Sequence, residues 1–201
     1  RLSQSKPPPV VPRSRMVEVA ERRDAFGNVV MELTQAEAQR VTAELAALEP
    51  EAVAVCLGFS FLDDSHETVL EREIARALPG VPIYLSSRVN PQIEEYPRAN
   101  TTAVAAYVGP VVDRYVSTLD QALAGDGVSA PLRLMRSDGG VATPQSARDN
   151  PAAMLLSGPA GGVIAGAAMA QELGVPDLVT FDMGGTSADF SVIAGSEDRK
   201  S

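Results

Sequence analysis

The chain has 201 residues, 45% of them hydrophobic and 21% charged, which is enough apolar sequence to bury a core in one or two domains. Its 17 basic and 26 acidic residues leave a net charge of −9, which argues against nucleic-acid binding, because neutralising phosphates needs clustered Lys and Arg. Both lysines, Lys6 and Lys200, lie in the tails, which excludes a Walker-A loop and an internal Schiff-base lysine.

One cysteine (Cys56) and one histidine (His66) cannot build a Cys/His zinc site or a disulfide framework. A Ser-His-Asp hydrolase would rest on His66 alone. The chemistry left is that of carboxylates, hydroxyls and backbone amides, in a protein expected in the reducing cytoplasm. No stretch approaches the ~18 apolar residues of a membrane span, and no apolar leader follows Arg1. The start at Arg1 and the stop at SEDRKS read as the ends of an internal piece of a longer polypeptide.

Residues 1–23 hold six basic residues and four prolines, and Pro7, Pro8 and Pro9 favour an extended arm, read as a linker over a domain surface or as a proline-rich ligand. Gly27-Asn28 predicts a turn between short strands at 16–20 and 29–33. Thr34, with Glu37 three residues on, predicts a capped helix whose buried face is Ala38, Val41, Leu45 and Leu48, closed by Pro50. AVAVCL at 52–57 reads as a strand covered on both faces. A helix from Asp64 or Ser65, striped by Leu70, Ile74 and Leu78, ends at Pro79-Gly80, and VPIYL at 81–85 is the next strand. The three form a βαβ unit of a mostly parallel sheet.

SSRVNPQIEEYPRAN at 86–100 reads as a long polar connection, after which Thr101 or Thr102 caps a helix that Gly109-Pro110 should kink or split. AGDGVSA at 124–130 is the best candidate boundary; PLRLM at 131–135 is a strand and SDGG at 137–140 a tight turn. From Ser137 to Asp198 a single basic residue, Arg148, faces eight acids. There SGPAGG opens a helix ended by Gly174, LVTFD at 178–182 reads as strand, MGGTS as turn and ADFSVI at 188–193 as strand.

FDMGGTSADF at 181–190 carries the sharpest signal. A strand delivers Asp182 to its end, Gly184 and Gly185 let backbone amides converge on an anion, and Thr186 and Ser187 add hydroxyl donors. Asp182 and Asp189 are candidate magnesium ligands and catalytic carboxylates, since hard cations take oxygen donors. The competing reading is an ordinary β-hairpin whose glycines serve only the turn. In SGPAGG, Ser157, Gly158, Gly161 and Gly162 leave a helix start open to an anion, or let the helix pack closely on a sheet. Asp138 in the SDGG turn and Arg98, able to clamp a carboxylate or phosphate, are weaker substrate candidates. Glu94 and Glu95 read as solvated acids more readily than as an acid–base pair, His66 as a surface residue, and Cys56 as a buried small hydrophobe.

SSRVNPQIEEYPRANTTAVAAYVGP, LMRSDGGVATPQSARDNPAAMLLSGPAGGV and VTFDMGGTSADFSVI together resemble the A-type subunit of the hydantoinase/oxoprolinase family, over about residues 15–194. The resemblance implies an α/β, actin-like ATPase (ribonuclease H-like) fold, here in part: βαβ units of the first lobe and the opening hairpin of the second. After the arm read at 1–23, it implies the back half of the first lobe at 24–124 and the start of the second at 125–201. It further implies ATP and Mg²⁺, a cyclic amide substrate opened after phosphoryl activation, and a B-type partner subunit. The phosphate-binding hairpin of that fold matches Asp182, Gly184, Gly185, Thr186 and Asp189; the glycine-rich helix start beside it matches Ser157, Gly158, Gly161 and Gly162. The family's commoner hairpin has Thr where this chain has Ala188. Ketone carboxylase subunits and non-catalytic ATPase switches use related machinery, and the segment alone is expected to lack ATPase activity.

Overall fold

The computed structural model describes residues 8–185, 187–195 and 197–198, so the start of the expected arm, up to Pro7, and Thr186 lie outside the described residues. Among the described residues the chain divides into two compact units: residues up to Arg114 with Asp149–Ala152, and Tyr115–Arg148 with Ala153 onward.

In the first unit a 3-10 turn at Arg13–Arg15 precedes an antiparallel pair, β1 (Arg22–Arg23) with β2 (Val29–Met31). Their turn closes on Asp24, whose carboxylate accepts from the Phe26 and Asn28 amides at 2.9 Å each, while Gly27 takes φ 86°. The strand expected at 16–20 does not form. Its backbone is held instead by helix α1 (Gln35–Ala47): Glu37 accepts from the Ala20 amide at 2.7 Å, and Arg40 donates to the Glu18 carbonyl at 2.7 Å. Side chains thus satisfy peptide groups that would otherwise seek a ladder, and Val17 and Val19 pack against the core.

Thr34 caps α1 as its sequence predicts, accepting from the Glu37 amide at 3.2 Å. The Arg40 guanidinium and the Ala20 amide together hold the Glu37 carboxyl near 2, below its usual 4.5. A depressed folded-state value contributes stability above the unfolded value, and that contribution disappears as pH falls from about 4.5 toward about 2. Thermal melts of the wild type and Glu37→Gln should therefore differ most near pH 6 and converge near pH 2. A gap that persists unchanged at about pH 2 would assign the effect to packing.

β3 (Val53–Val55) and β4 (Ile83–Leu85) pair in parallel, Val53 opposite Ile83 and Val55 opposite Leu85, joined by helix α2 (Ser65–Ala77). Val53, Val55, Leu70, Ile74 and Leu85 meet Ala38 and Val41 in the main core. Ala54 is exposed, so β3 is covered on one face and not on both as its unbroken apolar run suggested. β4 is covered on both: Tyr84 faces a smaller cluster with Ala105 and Ala106.

The connection expected at 86–100 is mostly helical, with α3 at Ser86–Val89 and α4 at Glu95–Gly125. α4 therefore begins six residues before Thr101. Pro97 suits a first turn, whose amides have no intrahelical acceptor. Thr101 and Thr102 instead donate back to the carbonyls of Pro97 and Arg98, at 2.8 and 2.7 Å. Nor does Gly109-Pro110 split the helix, which runs through Pro110. Gly109 has a packing role: a Cβ there would collide with the Tyr84 phenol lying against the helix.

In the second unit β5 (Leu134–Met135) and β6 (Val141–Ala142) form a hairpin around SDGG, followed by α5 (Pro144–Asp149), whose last residue belongs to the first unit. A 3-10 turn at Pro151–Met154 leads toward α6 (Ser157–Leu173), which Gly174 ends at φ 64°. β7 (Asp177–Met183), β8 (Ala188–Ala194) and β9 (Glu197–Asp198) make an antiparallel sheet in that order. No helix among the described residues is long and apolar enough to cross a membrane.

Candidate functional site

The β7–β8 register sets the chemistry of each sheet face. Leu178 opposes Ile193, Thr180 opposes Ser191 and Asp182 opposes Asp189. Because side chains alternate along a strand, these three pairs share one face. That face lies against α6: a Cβ on Gly166 would collide with Thr180 Cγ2 and stand 3.1 Å from Ile193 Cδ1. Polarity therefore rises in steps, from an apolar pair to hydrogen-bonded hydroxyls to opposed carboxylates. The opposite face bears Val179, Phe181, Met183, Phe190 and Val192, each more than half exposed, from 58% to 74%.

The chain reverses after Gly174, so moving along β7 from Thr180 to Asp182 moves back along α6 toward its start. Two strand residues advance ~6.6 Å, the rise of four to five helical residues. This step runs from Gly166 toward Gly162, the direction in which the exposed Asp182 and Asp189 follow Thr180 and Ser191 along the hairpin.

The glycines separate by purpose. Gly166 is required by close packing, and a Cβ on Gly161 would make an ordinary contact, 3.6 Å from Met135. Gly158 and Gly162 have nothing within 4 Å of where a Cβ would stand. A glycine inside a helix costs about 0.5–1 kcal/mol against alanine, and among the described residues no close packing accounts for Gly162. Gly185, at the hairpin tip, is likewise open, and neither Gly184 nor Gly185 adopts a left-handed φ. The turn does not need glycine for its conformation; what glycine provides is the absence of a side chain. The Gly184 amide, expected to face an anion, donates instead to the Ser187 carbonyl at 2.9 Å. Ser187 is exposed, and Thr186 lies outside the described residues. Ser157 begins α6 after Leu156, with no side chain capping the helix, so its first amides are free of that competition.

Asp138 serves its own turn. Oδ1 accepts from the Gly140 amide at 2.9 Å and Oδ2 from Arg136 at 2.8 Å; both hold its carboxyl below the usual range, the Gly140 amide first. The turn rests on α6, since a Cβ on Gly139 would stand 2.6 Å from Ile164 Cδ1.

The first unit holds the polar groups least visible in the sequence. Arg98 is completely buried, donating to the carbonyls of Leu57 at 2.7 Å and Gln92 at 3.1 Å and lying 5.3 Å from the Phe61 ring centroid. It grips backbone and leaves no guanidinium edge at the surface. Glu67, also completely buried, accepts from the amides of Leu57 and Ser87 and the hydroxyls of Ser86 and Ser87, at 2.6–3.0 Å. His66 is buried, contrary to expectation, with Nδ1 2.7 Å from Glu21 Oε2. Glu94 and Glu95, read as solvated acids, are both exposed; Glu94 accepts the Arg98 amide through its carbonyl and Glu95 opens α4. Cys56 is partly buried. Among the described residues no three His, Cys, Asp or Glu converge as a metal cluster.

A parallel βαβ unit, and in a second unit a glycine-rich helix packed on a β-hairpin, make this an α/β protein. The chain belongs to the hydantoinase/oxoprolinase family: the model of that name matches residues 98–200, and the model of its N-terminal region matches residues 3–78.

Caprolactamase subunit alpha of Pseudomonas jessenii is 33% identical over 186 residues, covering 92% of this chain and 27% of that protein. The solved structure of that ATP-dependent caprolactamase superposes with a TM-score of 0.79 at 32% identity, covering 94% of this chain and 28% of that one. A nucleotide-free structure of acetone carboxylase, an enzyme of ATP-dependent acetone carboxylation, gives a TM-score of 0.85 at 28% identity, covering 95% and 27%. 5-Oxoprolinase of Saccharomyces cerevisiae is 33% identical over 142 residues, 70% of this chain and 11% of that protein. The chain thus spans little more than a quarter of the first two and about a tenth of the third.

Proposed function

We propose that this chain is the nucleotide-phosphate-binding segment of an ATP-dependent enzyme that opens a lactam or hydantoin ring. The observation that carries the reading is the direct opposition of Asp182 and Asp189 on the face of the hairpin that packs on α6. Like charges facing each other across a ladder are destabilising unless a cation neutralises them, and two exposed carboxylates suit Mg²⁺, which prefers oxygen ligands and retained water. The names of the caprolactamase and acetone carboxylase structures, both ATP-dependent, support the nucleotide.

In this reading the chain takes part in an actin-like ATPase fold, with residues 24–124 in the first lobe and 125–201 opening the second, in a cytoplasmic enzyme working with a B-type subunit. Asp182 and Asp189 would hold Mg²⁺, while the Gly185 amide, the Ser187 hydroxyl and the first amides of α6 from Ser157 and Gly158 would bind phosphate. Gly161 and Gly162 keep the helix flank clear for its approach. Bound there, ATP would supply a phosphoryl group to activate the ring carbonyl toward water, a transfer that depends on positioning and charge neutralisation more than on a side-chain nucleophile. A second reading, a subunit of an ATP-dependent ketone carboxylase, is favoured by the high structural similarity to acetone carboxylase.

Calorimetric titration with Mg·ATP, of this chain and of the full-length polypeptide, tests the reading. Binding by the full-length protein, with ATP hydrolysis stimulated by a cyclic amide, is the expected result. A folded full-length protein that takes up no nucleotide would remove both the ring-opening and the carboxylase readings.

A further inference from the structure

Among the described residues, three that are not glycine adopt left-handed backbone: Glu49 at φ 47°, Phe59 at 56° and Leu156 at 58°. Glu49 stands just past the end of α1, where a left-handed residue is a common helix cap, and Leu156 stands between a 3-10 turn and α6. Phe59 has no helix to end. It lies in the turn after β3, at the carboxyl edge of the parallel β3–β4 pair, where open α/β sheets place their ligands. An aromatic residue in this conformation is disfavoured, and such outliers persist only where the surroundings over-determine them.

The surroundings here do so. The Leu57 amide is held by Glu67 and the Leu57 carbonyl by Arg98, both completely buried. The Ser60 hydroxyl bonds that of Ser86 at 3.1 Å, and the Leu62 amide closes back on the Phe59 carbonyl at 2.9 Å. Phe61, fixed against Arg98, meets Phe59 with ring centroids 6.2 Å apart. Two buried charges of opposite sign thus grip one residue and hold the next turn in a disfavoured shape, with Phe59 still partly exposed.

We infer that Phe59 is a specificity-determining residue that offers its ring as the apolar wall for a cyclic substrate, with Glu67 and Arg98 as positioning residues that act through Leu57. This rests on the ring-opening reading and adds the substrate class. The Glu95 carboxylate is exposed beside the loop, its Oε1 3.6 Å from where a Cβ on Gly58 would stand, while the Arg98 guanidinium is buried on the Leu57 and Gln92 carbonyls. An acid there repels a ring bearing its own carboxylate. The loop is suited to a neutral lactam or hydantoin, and 5-oxoproline is disfavoured.

Phe59→Gly and Phe59→Ala in the full-length polypeptide separate function from packing. Glycine removes ring and backbone strain together, whereas alanine removes the ring and keeps the strain. Phe59→Gly should melt within about 2 °C of the wild type or above it, and Phe59→Ala about 2–4 °C lower than Phe59→Gly. KM for ε-caprolactam, the neutral probe, should rise about 10-fold in Phe59→Gly while Mg·ATP affinity is unchanged. Glu95→Gln should narrow the gap between ε-caprolactam and 5-oxoproline.

A melting loss shared equally by both Phe59 variants would make Phe59 a packing residue and overturn the inference. So would an unchanged KM, or a wild-type preference for 5-oxoproline. Absence of ring-stimulated ATP turnover in the wild type would instead count against the ring-opening reading. In that case saturation-transfer NMR with ε-caprolactam decides. A transfer signal present in the wild type and abolished in Phe59→Gly supports the inference, and no signal in the wild type ends it.

Discussion

Asp182→Asn is expected to weaken Mg·ATP binding by about 100-fold while leaving the folded protein as stable as before, or more so. Both signs follow from one contact. Asp182 and Asp189 are direct cross-strand partners, and like charges so placed destabilise a ladder by about 0.2–1 kcal/mol. Asparagine removes that repulsion at nearly constant shape, so the apo hairpin gains. A hard cation loses an anionic ligand from a site that has few, and its affinity depends steeply on ligand charge. Calorimetry with Mg·ATP and a thermal melt in chelator read the two effects separately. If binding is unaffected, the carboxylates belong to an ordinary hairpin; if stability collapses, Asp182 is a structural anchor.

Gly166→Val should lower the melting temperature by about 6 °C or more, from overpacking worth about 3 kcal/mol. In a solvent-facing helix position the change would be mild, because valine has the better helix propensity. Here the added Cβ collides with Thr180 Cγ2. Thr180→Ser deletes that methyl, so the double variant should recover part of the loss. The coupling distinguishes a steric clash from a general propensity effect. Gly162→Val, where nothing lies within 4 Å of the added Cβ, is the matched control and should leave the melt nearly unchanged.

What could be read in advance depended on how local the cause was. The cap of α1 is written in four consecutive residues, Thr34 to Glu37, and it forms as expected. The β7–β8 hairpin needs only the run from LVTFD through ADFSVI, and its register places Asp182 against Asp189. The start of α4 was not legible because Thr101 and Thr102 resemble caps, whereas their hydroxyls bond backward within the helix. Gly109-Pro110 suggested a break because the partner that requires Gly109, Tyr84, is 25 residues away in sequence. Arg98, Glu67 and His66 were hard to place for the same reason. Each has a hydrogen-bond partner 10 to 45 positions distant, and a polar residue destined for the interior carries no local mark of that partner. In the site, residue types were legible, but the division of the glycines was not. Only the space around each one separates Gly166, held by packing, from Gly158 and Gly162, which packing leaves free.

The outer face of the β7–β8 hairpin gives the chain two opposed colloidal tendencies. Val179, Phe181, Met183, Phe190 and Val192 present a nearly uncharged strip of sheet, and such strips draw copies of a protein together. The net charge of −9 pushes copies apart. The first attraction is short-ranged and little affected by salt, while the second is screened within ~8 Å at physiological ionic strength. Salt therefore sets the balance for this segment in solution: dilute buffer keeps it dispersed by repulsion, and added electrolyte exposes the attraction of the hairpin's outer face.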